Sequence, residues 1–286
     1  MKLQLPFTKL SGAGNDFVLI DNRGGEYNLP WEKVAQQICQ LHFGIGADGL
    51  LVLEDSKKYD FEMKYFNSDG SYGGMCGNGG RCAAYYYFLN DNESNLVHFE
   101  SIGKEYVAEE THHTIRLKMN DVNVLPTLYS PTINKIKYKI YFLDVGSPHA
   151  VLFFEDKKNR LETFPVEDIG RKVRSHKLFS PRGTNVDFVQ RVNDTTIALR
   201  TFERGVEAET LACGTGSVAS ALVSSQIWKM RSPIHVIPKS NQKLSIHFQF
   251  VNERFVEVWL EGPASVIFKG IFCYDIRQNR LIDFPQ

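Results

Sequence analysis

The tetrapeptide Cys76-Gly77-Asn78-Gly79 returns as Cys213-Gly214-Thr215-Gly216, 137 residues further on (213 less 76). GADGLLV at 46–52 aligns with GTNVDFV at 183–189 at the same spacing, and GNDFV at 14–18 with GSPHA at 146–150 at a spacing of 132. Similarities recurring in one order at near-constant spacing mark a duplicated structural unit. Each half then reads as a glycine turn, strands, CGxG and a helix. Apolar or alternating runs bounded by turn residues predict strands at 17–21, 50–53, 62–66, 139–144, 151–154, 186–189, 197–202, 244–250 and 255–260. The run Gly80 to Leu89 and the run Ser217 to Lys229 predict helices that are apolar nearly all round and therefore buried. The fold class expected is α/β (α+β): two pseudo-symmetric domains, each a mixed β-sheet or barrel wrapped around a central helix, with the active site in the interdomain cleft. Prolines at 126 and 131 break periodicity and place the boundary there. The expected halves are 1–125, joined by the C-terminal segment 268–286, and 126–267.

Lys plus Arg and Asp plus Glu both number 33 among 286 residues. A chain of zero net charge has no global field to draw it to nucleic acid or an acidic membrane surface, so a small-molecule partner is expected. The five cysteines, at 39, 76, 82, 213 and 273, are odd in number and scattered, with no CxxC pair and no zinc spacing. Reduced thiols in the cytoplasm are the simpler reading. Met1 to Leu10 has polar residues where a signal peptide carries its apolar stretch. The uncharged run Thr210 to Trp228 is long enough for a membrane span, but two glycines and several Ser and Thr point to a buried helix.

A cysteine directly before a Gly-x-Gly helix start sits beside unpaired backbone N–H groups and the positive end of the helix dipole. That setting favours a thiolate and can hold a carboxylate. Two such loops in a duplicated chain predict one sulfur on each face of an α-carbon. One thiolate removes the α-proton and the opposite thiol returns a proton to the other face, inverting the centre. Cys39, Cys82 and Cys273 lack the glycine context and read as structural.

SGAGNDFVLID at 11–21, HFGIGADGLL at 42–51, FNSDGSYGGMCGNGGRCA at 66–83, GSPH at 146–149, GTNVDF at 183–188, ERGVEAETLACGTGSVA at 203–219 and GPA at 262–264 carry a family resemblance over nearly the whole chain. The sequence resembles the diaminopimelate epimerases, cofactor-independent members of the amino-acid racemase superfamily. The resemblance implies interconversion of LL- and meso-diaminopimelate in lysine and peptidoglycan-precursor biosynthesis, with no cofactor, no metal and a homodimer. It implies Cys76 and Cys213 as catalytic bases, supported by His149 and Glu203. Gly77, Asn78, Gly214 and Thr215 match the cradle of the reacting carboxylate. Asn15, Asn67, Asn185, Glu203 and Arg204 match substrate-binding groups, with Arg204 suited to a distal carboxylate. Three positions depart from the pattern. Ser147 stands where many members have a substrate-binding asparagine, Gly49 where some have a glutamine, and Phe268 where some have a tyrosine linked to dimerisation. Gly49 and Ser147 leave open a related racemase for another amino acid, such as histidine. Two intact cysteines argue against a non-catalytic binding protein.

Overall fold

The computed structural model describes residues 2–91, 94–154 and 161–282. The chain is a mixed α+β protein, mostly strands with four α-helices among the described residues. In chain order these are β1 (Lys2–Gly12), β2 (Asn15–Asn22), α1 (Trp31–Ile38), β3 (Gly49–Glu54), β4 (Phe61–Asn67), α2 (Gly77–Asn90), β5 (Leu96–Ser101), β6 (Lys104–Glu110) and β7 (Ile115–Lys118). There follow β8 (Thr127–Tyr129), β9 (Thr132–Ile133), β10 (Ile136–Lys137), β11 (Ile140–Asp144), β12 (Pro148–Phe154), α3 (Val166–Arg174), β13 (Asn185–Arg191), β14 (Thr196–Glu203), β15 (Ala208–Thr210), α4 (Gly214–Ile227), β16 (Ile234–Ile237), β17 (Leu244–Val251) and β18 (Arg254–Gly262). β19 (Ser265–Asp275) and β20 (Arg280–Ile282) close the described chain.

The chain divides into two compact units, residues 1–117 with 262–286, and residues 118–261. The changeover lies ahead of the proline-containing stretch because Val122 already exchanges both backbone hydrogen bonds with Phe255 of the second unit (2.8 and 2.9 Å). The segment from Gly262 returns to the first unit through β19, which lies antiparallel along β1 from Lys2↔Asp275 to Ser11↔Ser265.

Each unit repeats one pairing plan. In the first, β2 pairs parallel with β3, β3 antiparallel with β4, β4 parallel with β5, and β5 antiparallel with β6. In the second, β12, β13, β14, β16 and β17 follow the same sequence of parallel and antiparallel steps. Both faces of each sheet are covered, which is why the central strands are apolar runs rather than alternating ones. In the first unit, Val18, Ile20, Leu50 and Val52 pack with Val34, Ala35 and Ile38 of α1. In the second, Ala150, Leu152, Val186 and Phe188 pack with Val166, Ile169 and Val173 of α3. The opposite faces meet α2 and α4, whose early residues are buried on all sides. Glycine-rich helix starts have poor intrinsic propensity. Burial holds them helical, so both helices begin three residues before the predicted Gly80 and Ser217.

The registers correct the sequence alignment by one residue. Phe17 lies opposite Gly49 and Leu51 opposite Tyr65, whereas His149 lies opposite Asn185 and Asp187 opposite Thr201. Leu50 and Val186 both face the outer helix of their unit. The β3 and β13 strands are therefore related by 136 residues (186 less 50), not 137, since a one-residue slip would turn every side chain to the other face. The 137 spacing holds for the cysteines and for α2 and α4, and 132 holds for β2 and β12.

Candidate active site

In the first unit Cys76 takes the N-cap position of α2 in extended conformation (φ −114°, ψ 122°), and its Sγ accepts the Gly79 N–H at 3.5 Å. The cysteine is half-buried and is not part of a disulfide. Beside it runs a chain of side-chain amides whose directions are fixed by charge at both ends. Arg81 can only donate, and its Nη2 donates to Asn78 Oδ1 at 2.8 Å. Asn78 Nδ2 therefore donates onward to Asn15 Oδ1 at 2.6 Å, and Asn15 Nδ2 to Asp48 Oδ2 at 2.8 Å. Each amide has one N–H beyond these bonds. Asp48 and Asp16 also exchange bonds with each other's backbone N–H, both at 3.1 Å, which locks the turn that presents Asn15.

Asn67 sits at the end of β4 in a tight turn. Its backbone N–H donates to Ser71 O and its Nδ2 to Ser71 Oγ, both at 2.9 Å, while Gly70 takes a φ of +85°. The vacancy left by a glycine at 49 is filled. A Cβ there would stand 2.5 Å from Phe66 O and from Tyr65 Cε2, and one at Gly73 would stand 2.4 Å from the same ring. The Tyr65 ring thus lies between two glycines, edge-on to Phe17 at 6.0 Å. A glutamine at 49 has no room here, since its Cβ would meet the Phe66 carbonyl as well as the Tyr65 ring.

In the second unit Cys213 caps α4 in the same extended conformation (φ −118°, ψ 114°) but is buried. A polar chain runs from it into the sheet. Cys213 Sγ lies 3.6 Å from Thr215 Oγ1, which lies 3.0 Å from His149 Nε2, and His149 Nδ1 lies 2.7 Å from Asp187 Oδ2. Thr201 Oγ1 donates to Asp187 Oδ1 at 2.7 Å. His149 and Asp187 are wholly buried. A carboxylate only accepts, so the Nδ1 of His149 carries a proton directed at Asp187. The Cys213 thiol stands at the outer end of this chain. Burial pushes that thiol well above its ordinary range, and the negative charges of Glu203 and Asp187 add to the effect. Gly216 makes the close approach possible, because a Cβ there would stand 2.5 Å from Asp187 Oδ1.

Asn185 is buried and its polar capacity is largely spent. Nδ2 donates to Ser147 Oγ at 2.9 Å and Pro148 O at 3.1 Å, while Oδ1 accepts the Arg204 backbone N–H at 2.9 Å. The last bond ties it to the Glu203-Arg204 turn. Glu203 Oε2 accepts from Thr210 Oγ1 at 2.9 Å, and Arg204 Nη1 donates to Arg182 O at 3.2 Å. The first unit thus assembles Asn15, Cys76, Gly77 and Asn78, with Asn67 in its own turn. The second assembles His149, Asn185, Cys213, Gly214 and Thr215 with Ser147, Glu203 and Arg204. Sequence reading missed Arg81, Asp48, Asp187 and Thr201. The available signals were Arg81 inside a small-residue helix run and Asp187 inside the apolar strand Val186–Val189. Cys39 and Cys82 are inert by comparison, since burial pushes each thiol up to about 12.

The diaminopimelate epimerase family model matches residues 7–125 and 141–263. The chain belongs to the diaminopimelate epimerase family. It is accordingly an isomerase. It is 42% identical to a diaminopimelate epimerase of Chlorobaculum tepidum over 91% of this chain and 98% of that one, and 38% identical to one of Aquifex aeolicus over 93% and 97%. Solved structures extend the likeness to the fold. A PhzF-family phenazine biosynthesis protein of Bacillus anthracis matches with a TM-score of 0.68 at 12% identity, covering 94% of this chain and 99% of that one. A hydroxyproline epimerase of Agrobacterium vitis, with trans-4-hydroxy-L-proline bound, matches with a TM-score of 0.65 at 13% identity, covering 96% and 92%. No helix among the described residues is long and apolar enough to cross a membrane.

Proposed function

We propose that the chain interconverts LL- and meso-2,6-diaminopimelate by two-base proton transfer, with Cys76 and Cys213 as the bases. The observation that carries this reading is the duplicated cap. Two cysteines outside any disulfide, in one conformation, cap two helices of equal length, in a chain of the diaminopimelate epimerase family. The Cα–H bond breaks as one thiolate takes the proton, and the electron pair spreads into the α-carboxylate. The second S–H bond then breaks as its proton forms a new Cα–H bond on the opposite face. The two sulfurs exchange protonation states in each turnover, so the reverse reaction uses the same groups. Helix-start N–H groups at Gly77, Asn78, Gly214 and Thr215, with the spare amide N–H of Asn78, stabilise the developing charge on the carboxylate. Asn15 and Asn67 hold polar groups of the substrate. Arg204 pairs with the distal carboxylate and Glu203 accepts from an ammonium.

This reading needs no metal or organic cofactor, because a thiolate and a carboxylate-stabilised carbanion suffice. It includes a cytoplasmic location and a homodimer. Phe268, packed edge-on to Phe7 at 5.7 Å and 46% exposed, supplies apolar surface for such contact. The test is conversion of LL-diaminopimelate by pure, reduced protein with no addition, followed by chiral chromatography. Formation of the meso isomer to an equilibrium mixture, unaffected by a chelator or a carbonyl reagent, is expected. Absence of conversion while an isolated amino acid such as L-histidine is racemised would replace the substrate.

A further inference from the structure

Arg81 is wholly buried in the second turn of α2. Its guanidinium folds back over the helix start, with Nη1 donating to Gly77 O at 3.2 Å and Nη2 to Asn78 Oδ1 at 2.8 Å. Its Nε has no hydrogen-bond partner, and no carboxylate among the described residues lies within ion-pair distance of it. A buried cation is normally paired, since removing it from water is costly. This one also lies at the positive end of a helix dipole, where a cation is disfavoured. Two positive fields converge on one spot and call for an anion.

The nearby charges leave few choices. Asp16 is 2.6 Å from Lys9, and Asp48 is bonded to Asn15 and to the Asp16 backbone. On the flanking strands, Glu62 is 3.9 Å from Lys64, Glu105 is 2.7 Å from His98 and Glu109 is 3.6 Å from Arg116. Arg81 Nη1 holds the carbonyl of Gly77, the residue directly after the capping Cys76, and Cys82 is its own chain neighbour, so these two sulfurs flank the cation. Cys82 is fully buried and stays a neutral thiol. Cys76 is half-buried and already accepts an N–H from the helix start.

We propose that Arg81 is a positioning residue whose guanidinium takes the thiolate of Cys76 as its counter-ion, making Cys76 the standing base of the substrate-free enzyme. The same guanidinium, by occupying Asn78 Oδ1, turns the Asn78 amide so that N–H groups alone remain for the substrate. The inference rests on Cys76 acting as one of the two bases. Its test uses no substrate, so its failure and the failure of the epimerase reading are separately visible.

The experiment is alkylation of the full-length protein by iodoacetamide across a pH series, with the modified peptide containing Cys76 quantified by mass spectrometry. In the wild type, Cys76 is expected to reach half-maximal rate below the ordinary thiol value of about 8.5. Arg81→Met is expected to slow modification at neutral pH by about tenfold, a displacement of about one pH unit. Arg81→Lys, which keeps the charge, is expected to restore most of the rate. A folded Arg81→Met protein with the wild-type profile overturns the proposal. So does a wild-type Cys76 that titrates at or above the ordinary thiol value, a result that stands even if Arg81→Met does not fold.

Discussion

The two helix caps are built on the same backbone and surrounded by opposite chemistry. Under α2, Gly79 rests on Leu51 and Phe17, with Tyr65 beside them. Under α4, the corresponding Gly216 rests on Asp187 and Thr201, with His149 beside them. Strand register makes these the same three positions, filled by apolar groups in one unit and by a charged relay in the other. On the helices the contrast reverses, since the place of Arg81 is taken by Val218. One cysteine therefore sits near a cation and the other near anions. On the two-base reading proposed above, these surroundings suit Cys76 to the thiolate and Cys213 to the thiol.

The largest expected effect comes from removing either sulfur. Cys76→Ala and Cys213→Ala should each lower the epimerisation rate by about a thousandfold or more, because neither face of the α-carbon can substitute for the other. A residual rate within tenfold of wild type in either variant would break the pairing. Next is the charge beneath Cys213. Asp187→Ala leaves His149 buried beside an empty site and should cost about 3 kcal/mol in urea unfolding. The milder Asp187→Asn should speed alkylation of Cys213 by removing a negative charge. Slower or unchanged alkylation in the folded variant would contradict the role given to the anion.

The alkaline limb of stability sharpens the contrast further. Cys39, Cys82 and Cys213 all have thiols raised in the folded protein, the first two to about 12. A raised thiol stays protonated in the folded chain after it ionises in the unfolded one. Stability should therefore be level up to about pH 8.5 and fall as the pH rises from there toward the folded values. Urea midpoints between pH 7 and 11 test this, and a Cys39→Ala/Cys82→Ala double variant should show a shallower fall. The smallest effect lies in the glycines. Gly216→Ala forces a methyl against the Asp187 carboxylate and should cost about 2 kcal/mol. Gly79→Ala meets only the movable end of Leu51, at 3.1 Å, and should cost less than half as much.

Much of this was legible in the sequence. The duplicated CGxG located both caps, and the apolar runs located the central strands, because burial on both faces leaves a continuous signal. Strands β1 and β19 were not seen, since Lys9, Thr8 and Lys269 interrupt their pattern and their pairing joins opposite ends of the chain. The one-residue slip of β13 escaped because GTNVDFV shares its first glycine and last valine with GADGLLV at 137, while side-chain direction fixes 136. The cysteines were recognisable from their own neighbours. Arg81 and Asp187 were not, because their importance lies in which charge each meets across the core, and local sequence does not encode that. Asn185 shows the converse: its residue type suggested a substrate contact, while its bonds to Ser147, Pro148 and the Arg204 backbone could not be read from sequence.

The central claim is that two unlike sulfurs act on opposite faces of one carbon. Its most direct test is the early time course of LL-diaminopimelate with wild-type protein in deuterium oxide, with label located by mass spectrometry in both substrate and product. Two bases predict deuterium at the inverted centre of the meso product and almost none in the recovered LL substrate, since the returning proton comes from the solvent-exchanged thiol on the far side. Deuterium appearing in recovered LL substrate as fast as in the product would show a single base serving both faces, and would contradict the account.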